Sequence, residues 1–186
     1  LSVLSLLILL TLSKISIFFG LLSVLPIIFY PTMKRLNYYP QVFLGLVFNM
    51  GVFIGWFAVY DTITLMPFLL YAACALWTVG YDTIYAHQDK IDDLKAGVKS
   101  MALLLEDKTT EVVWRMYQVM ILLLMIVGLN MHMNILFYLI AAFGAYHLYW
   151  QTETLDINNP KDCAEKFHSN IHFGLIILVA IIIGRI

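Results

Sequence analysis

Six long apolar runs, at 15–31, 41–59, 64–82, 114–130, 134–150 and 170–185, leave room for little besides short polar connections. Each approaches the roughly 20 residues that an α-helix needs to cross a hydrocarbon layer ~30 Å thick. Backbone in hydrocarbon must satisfy its own N–H and C=O groups, which confines runs of this length to helices. The chain therefore reads as all-α, a polytopic transmembrane helical bundle with six complete spans. Composition agrees, since 62% of the residues are hydrophobic, 12% are charged and the mean hydropathy is +0.86, unlike a soluble domain.

A seventh run, 1–12, is too short to cross alone and is followed by Ser13 and Lys14, so it reads as the tail of a truncated helix. It has neither the basic start nor the small-residue cleavage site of a secretory leader. No repeat, low-complexity tract or linker interrupts the sequence, and residues 1–186 read as a single membrane domain. Cys74 lies in an apolar run and Cys163 in a polar loop, so both are expected to be structural thiols rather than a disulfide pair.

The net charge of -1 conceals a strong segregation. Loops 32–40, 86–113 and 151–169, with Arg115 at the edge of one, hold nine of the eleven Lys and Arg residues. By the positive-inside rule these loops face the cytoplasm, or the matrix, of a bacterial or mitochondrial inner membrane. The connections around Asp61 and Asn130 carry no Lys or Arg and belong to the other side.

The stretch YDTIYAHQDKIDDLKAGVKS, 81–100, sets four aspartates against the end of an apolar run. A carboxylate at a membrane edge is costly unless something positive neutralises it, which marks it as a functional candidate. Residues 82–96 contain no Gly or Pro, so one helix is expected to continue to Gly97. At ~100° per residue Asp82, Asp89 and Asp93 then share one face, with Tyr85 beside them and Asp92 turned away. Carboxylates so close repel unless a cation lies between them. An all-oxygen donor set suits Mg²⁺ better than zinc or copper, and Mg²⁺ usually completes its octahedron with substrate phosphates and water. The competing interpretation is a solvated charged turn, against which Asp82 stands because it carries the acidic face back to the membrane edge.

A second cluster lies in YPTMKRLNYYPQ, 30–41, on the same expected side. Tyr30 and Lys34 are four apart and Arg35 adjoins Lys34, so a hydroxyl, an ammonium and a guanidinium can converge on an anion. Alternatively these are topogenic charges ending a span. His168 and His172 have metal-pair spacing but lack the Glu that a zinc protease places after the first His, and they are expected to begin the last helix. His87 reads as an interfacial hydrogen-bonding residue. Trp56, Trp77, Trp114 and Trp150 sit near span ends as interfacial anchors.

In these motifs the sequence resembles the UbiA superfamily of membrane prenyltransferases, and within it those acting on 4-hydroxybenzoate. YDTIYAHQDKIDDLKAGVKSMA is similar to the family's second Asp-rich motif, and YPTMKRLNYYPQVFLG, WTVGYDT and TLDINNPKDCAEKFHSNIHFG resemble its other landmarks. The resemblance implies a bundle of nine transmembrane helices around a central cavity capped by loops, of which this chain would supply the end of the third and the fourth to ninth. It implies Mg²⁺ bound by Asp89 and Asp93, a prenyl diphosphate held by Tyr30, Lys34 and Arg35, and Asp82 with Tyr85 toward the aromatic acceptor. The implied partners are polyprenyl diphosphate, 4-hydroxybenzoate and membrane lipid, with no nucleic acid, and the implied pathway is ubiquinone biosynthesis. The family's first Asp-rich motif, NDxxDxxxD, is absent from these residues. The preceding helices would lie before Leu1, so the chain reads as a fragment or a non-catalytic remnant. A cation-coupled transporter is the rival class, but it should place acids near the membrane midplane, where the runs are almost uncharged.

Overall fold

In a computed structural model that describes residues 2–186, and of Lys34 the backbone only, every regular element among the described residues is helical. In chain order these are α1 Ser2–Leu9, α2 Lys14–Leu22, α3 Val24–Leu36, α4 Pro40–Phe48, α5 Gly51–Val59, α6 Met66–Ala86, α7 Lys90–Ala96 and α8 Met101–Leu105. A 3₁₀ turn at Glu106–Lys108 leads into α9 Thr109–Asn130, followed by α10 Ile135–Glu153 and α11 Pro160–Gly184.

All six apolar runs are helical, two of them with interruptions. Pro26 has no N–H to give and its ring crowds the carbonyl of Leu22, so the first run breaks between α2 and α3. Ser23 at that break donates its hydroxyl to the Gly20 carbonyl at 2.7 Å. Between α4 and α5, the Asn49 side chain donates to the Gly45 carbonyl at 2.7 Å and to Thr78 Oγ1 at 2.8 Å. The 1–12 run forms the short α1, and Ser13 begins a new helix by accepting from the Ser16 N–H at 3.1 Å. Pro at the first turn opens α4, α6 and α11, where its missing N–H has no helical partner to lose.

Among the described residues four stretches are long and apolar enough to cross a membrane: Lys14–Met33, Pro40–Val59, Met101–Asn130 and Pro160–Gly184. The expected six complete spans are not reached by that measure. The shortfall lies in α6 and α10, which have the length but carry Thr78, Asp82 and Thr83, or His147, Gln151 and Thr152.

Helix α6 is central, packing on α4, α5, α8, α9 and α11. Its buried face is rich in small residues, among them Ala73, Ala75, Thr78, Gly80 and Thr83, which lets neighbouring backbones approach closely. At Gly80 a Cβ would collide with Tyr117 of α9, and at Gly45 of α4 it would meet the Ala75 carbonyl at 2.8 Å. Tyr117 is fully buried and joins Ile84, Val113, Met120, Leu148 and Phe173 in the main core. Phe18, Ile28, Leu139, Phe143 and Leu175 stay exposed on the bundle perimeter, as lipid-facing residues do.

Gly97 ends α7 as its sequence position led one to expect. Its φ of 66° is left-handed, and its N–H returns to the Asp93 and Leu94 carbonyls. Gly97→Ala is expected to cost about 1 kcal/mol, because a Cβ is unfavourable in that conformation. Thermal denaturation in detergent would measure it, and an unchanged midpoint would contradict the strain.

Candidate functional site

The chain segments bearing the two charged clusters meet at one end of the bundle. From the loop between α7 and α8, Lys99 Nζ donates to the Leu36 carbonyl at 3.2 Å and lies 5.4 Å from the Tyr38 ring centre. The Met101 N–H donates to Oε1 of buried Gln41 at 3.0 Å. These contacts tie the α3–α4 connection to the acidic stretch across 63 and 60 residues of sequence. Tyr30 of α3 and Asp82 of α6 lie within electrostatic reach of one another.

The expected continuous helix from Asp82 to Gly97 is not what forms. Helix α6 stops at Ala86, His87 and Gln88 make a tight turn, and α7 restarts at Lys90 with Asp89 at its N-cap. The cause is a tertiary bond, since the His87 ring is buried and its Nε2 lies 2.9 Å from Thr109 Oγ1. Asp82, Asp89 and Asp93 are therefore not on one face of one helix. The relation between Asp89 and Asp93 survives, because the Asp93 N–H donates to the Asp89 carbonyl at 2.8 Å and leaves them one turn apart. Asp89 is exposed, Asp93 and Asp82 are half-buried, and Tyr85 is 40% exposed. Among the described residues no three His, Cys, Asp or Glu side chains form a metal-holding group. Two carboxylates on one turn, with no sulfur donor beside them, fit Mg²⁺ held from one side, with phosphate and water supplying the remaining positions.

On the basic side, Tyr30 is half-buried and Arg35 exposed, both on α3. Lys34 lies between them in the same helix, and its side chain falls outside the described residues. An aromatic ladder links α6 to α11. The Phe167 ring of α11 sits 5.7 Å from Tyr81 and 4.8 Å from Tyr85 of α6. Below it Trp77 donates its indole N–H to Asn170 Oδ1 at 2.8 Å. A cavity of about 300 Å³ opens among Trp77, Tyr81, Phe167 and His168. Phe167, Asn170, Gln41 and Lys99 carried no local signal of this role. FHSN lies inside a landmark motif, and Lys99 counted only as a topogenic charge.

His87 titrates far from its usual range. Burial, and then the charge of Lys90, push its pKa down from 6.5 to about 4. Thr109 Oγ1 donates to the Glu106 carbonyl at 2.7 Å, so its lone pairs face the imidazole and Nε2 carries the proton. Nδ1 is buried with no partner among the described residues, so a second proton there would go unpaired. As pH falls from 6.5 toward 4 the unfolded chain binds this proton before the folded one, and stability is lost across that window. The loss should reach about 2–3 kcal/mol. Comparing unfolding at pH 7 and pH 4.5 should show His87→Gln, which keeps a donor for Thr109, flattening that part of the profile; parallel profiles would refute the assignment.

A helical membrane bundle in which the α3–α4 connection is tied to the acidic stretch at one end is the class of protein these features define. The UbiA prenyltransferase family matches residues 1–176, and the chain belongs to that family. It is 46% identical over 183 residues to the mitochondrial 4-hydroxybenzoate polyprenyltransferase of Bos taurus, covering 96% of this chain and 48% of that one. The Homo sapiens protein of the same name is 43% identical over 184 residues, 96% of this chain and 48% of its own. 4-Hydroxybenzoate geranyltransferase 1 of Lithospermum erythrorhizon is 41% identical over 163 residues, 87% of this chain and 53% of its own. The chain thus spans about half the length of the curated relatives it matches. The fold is that of the apo structure of a UbiA homolog from Aeropyrum pernix K1, with a TM-score of 0.79 at 24% identity over 95% of this chain and 66% of that one.

Proposed function

We propose that the protein acts in Mg²⁺-dependent transfer of a polyprenyl group from polyprenyl diphosphate to 4-hydroxybenzoate, ortho to the hydroxyl, in ubiquinone biosynthesis. The proposed setting is an inner membrane, bacterial or mitochondrial, with the acidic loop on the cytoplasmic or matrix side. The observation that carries this reading is the stitching of the Tyr30–Arg35 segment to the Asp89–Asp93 turn through Lys99–Leu36 and Met101–Gln41.

Asp89 and Asp93 would hold the Mg²⁺, which when bound neutralises diphosphate charge. Tyr30, Lys34 and Arg35 bind the same diphosphate from α3 and favour the negative charge that develops as the allylic C–O bond breaks and its electron pair leaves with the diphosphate. The ring carbon ortho to the phenol then forms the new C–C bond, and the ring loses its proton to regain aromaticity. Asp82 lines the acceptor end with Tyr85, where a carboxylate stabilises the positive ring and can receive that proton. Trp77, Tyr81 and Phe167 line the cavity with aromatic faces, which favour an allylic cation.

Membranes carrying the protein, supplied with Mg²⁺, a polyprenyl diphosphate and radiolabelled 4-hydroxybenzoate, are expected to yield a lipid-soluble labelled product. The absence of product with both substrates present would favour a non-catalytic remnant. Ion flux without diphosphate affinity would favour a transporter.

A further inference from the structure

One turn of α11, residues 166–170, is tied to neighbouring helices by buried polar side chains. Gln151 of α10, fully buried, donates its Nε2 to the Lys166 carbonyl at 2.8 Å and to Ser169 Oγ at 3.0 Å, and its Oε1 accepts from the Tyr117 hydroxyl of α9. One turn earlier on α10, His147 Nε2 lies 3.1 Å from the Ser169 carbonyl. The Lys166 side chain is itself buried, with its ammonium on Thr154 Oγ1 and 3.8 Å from the Trp150 ring centre. The turn is thus fixed from the α10 side.

Asn170 carries that fixed position across to α6. Its Nδ2 donates to the Lys166 carbonyl at 3.2 Å and to the Phe167 carbonyl at 3.0 Å, which engages both amide hydrogens. Its Oδ1 is left to accept the Trp77 indole N–H at 2.8 Å, the partner that a ring N–H inside an apolar bundle needs. One amide therefore grips two rings that border the cavity at the acidic end, Trp77 through its N–H and Phe167 through its own carbonyl. Tyr81 stands between those rings, 5.6 Å from Trp77 and 5.7 Å from Phe167. Asn170 also borders the cavity, but with both hydrogens engaged it has no donor to offer a ligand there.

We infer that Asn170 is a positioning residue for the aromatic acceptor, acting through Trp77 and Phe167 by holding their rings at a set separation across the cavity. The inference rests on the reading that this cavity, beside Asp82 and Tyr85, takes the acceptor. A planar ring is recognised by the spacing and tilt of the faces around it, and here one side chain fixes both.

The test measures KM for 4-hydroxybenzoate and for geranyl diphosphate in membranes carrying the protein, supplied with Mg²⁺. A smaller folded fraction lowers the maximal rate and leaves both constants alone, so the split between them separates positioning from stability. Asn170→Leu removes the amide at similar volume and is expected to raise KM for 4-hydroxybenzoate about tenfold while KM for geranyl diphosphate stays within about twofold. In a Trp77→Phe background, which lacks the N–H, the same change should add less than about twofold. Bonds between membrane helices contribute modestly, so the variant should fold. If it does not, Asn170→Ser carries the same expectation, because its short hydroxyl turns back to a carbonyl of its own helix. Failure of both variants to fold would make the residue purely structural and overturn the inference. Equal rises in both constants, no rise in either, or additive effects with Trp77→Phe would also overturn it, while wild-type turnover left the proposed function standing. No transfer by the wild type with both substrates present would instead overturn the proposed function and this inference with it.

Discussion

Asp89→Asn and Asp93→Asn are each expected to lower prenyl transfer at least a hundredfold, whereas Asp92→Asn should stay within about twofold of wild type. Each of the first two removes one of the two carboxylates proposed to hold Mg²⁺ among the three at the start of α7, and losing one electrostatic contact to developing charge typically costs about 10²–10³ in rate. Asn is the informative replacement at position 89 because it keeps the size and shape of Asp and removes only the charge. Asp92 makes a 3.3 Å pair with Lys95 in which both side chains are largely exposed, and such pairs contribute little. Initial rates across a Mg²⁺ titration would measure the contrast. Equal losses at all three positions would indicate that the charged turn acts only through its general field, and the two-carboxylate Mg²⁺ site would fall.

Tyr117→Ala should be the most destabilising single change considered, at about 3–5 kcal/mol from loss of a buried aromatic ring. The hydroxyl adds to this, because it donates to Gln151 Oε1 at 2.9 Å while Gln151 Nε2 donates to the Lys166 carbonyl and Ser169 Oγ. Tyr117→Phe isolates that part and is expected to cost about 1–3 kcal/mol, since it leaves a fully buried carbonyl oxygen without its donor. The ring also rests on Gly80, so Gly80→Ala and Tyr117→Ala are coupled. Gly80→Ala should be damaging alone and much milder once the ring is gone. Denaturation midpoints for the single and double variants close the cycle, and strict additivity would show that the two positions do not share this contact.

The six apolar runs were legible because helix in hydrocarbon is a local demand, which each segment meets with its own backbone bonds. Pro26 breaks its run through its own ring and missing N–H, and Gly97 ends α7 through its own left-handed φ. The error at Asp82–Gly97 has the opposite origin. Nothing between residues 82 and 96 forbids a helix, and the chain turns at His87 because the imidazole meets Thr109, 22 residues further on. The expected six spans are not confirmed by length and hydropathy alone for a related reason, since α6 carries polar side chains that neighbouring helices bury. Thr78 and Thr83 are nearly inaccessible within the bundle, so that face need not be lipid-compatible.

Residue order alone thus settled an all-helical membrane chain and picked out the acids and bases proposed here for the site, because hydropathy, charge and spacing act over a few residues. Tertiary structure decided that Asp89 and Asp93 stand at the start of their own short helix and that Lys99 and Gln41 join that stretch to the α3–α4 connection. Those outcomes depend on which helices pack together, and close packing couples residues far apart in the chain that no local pattern can pair.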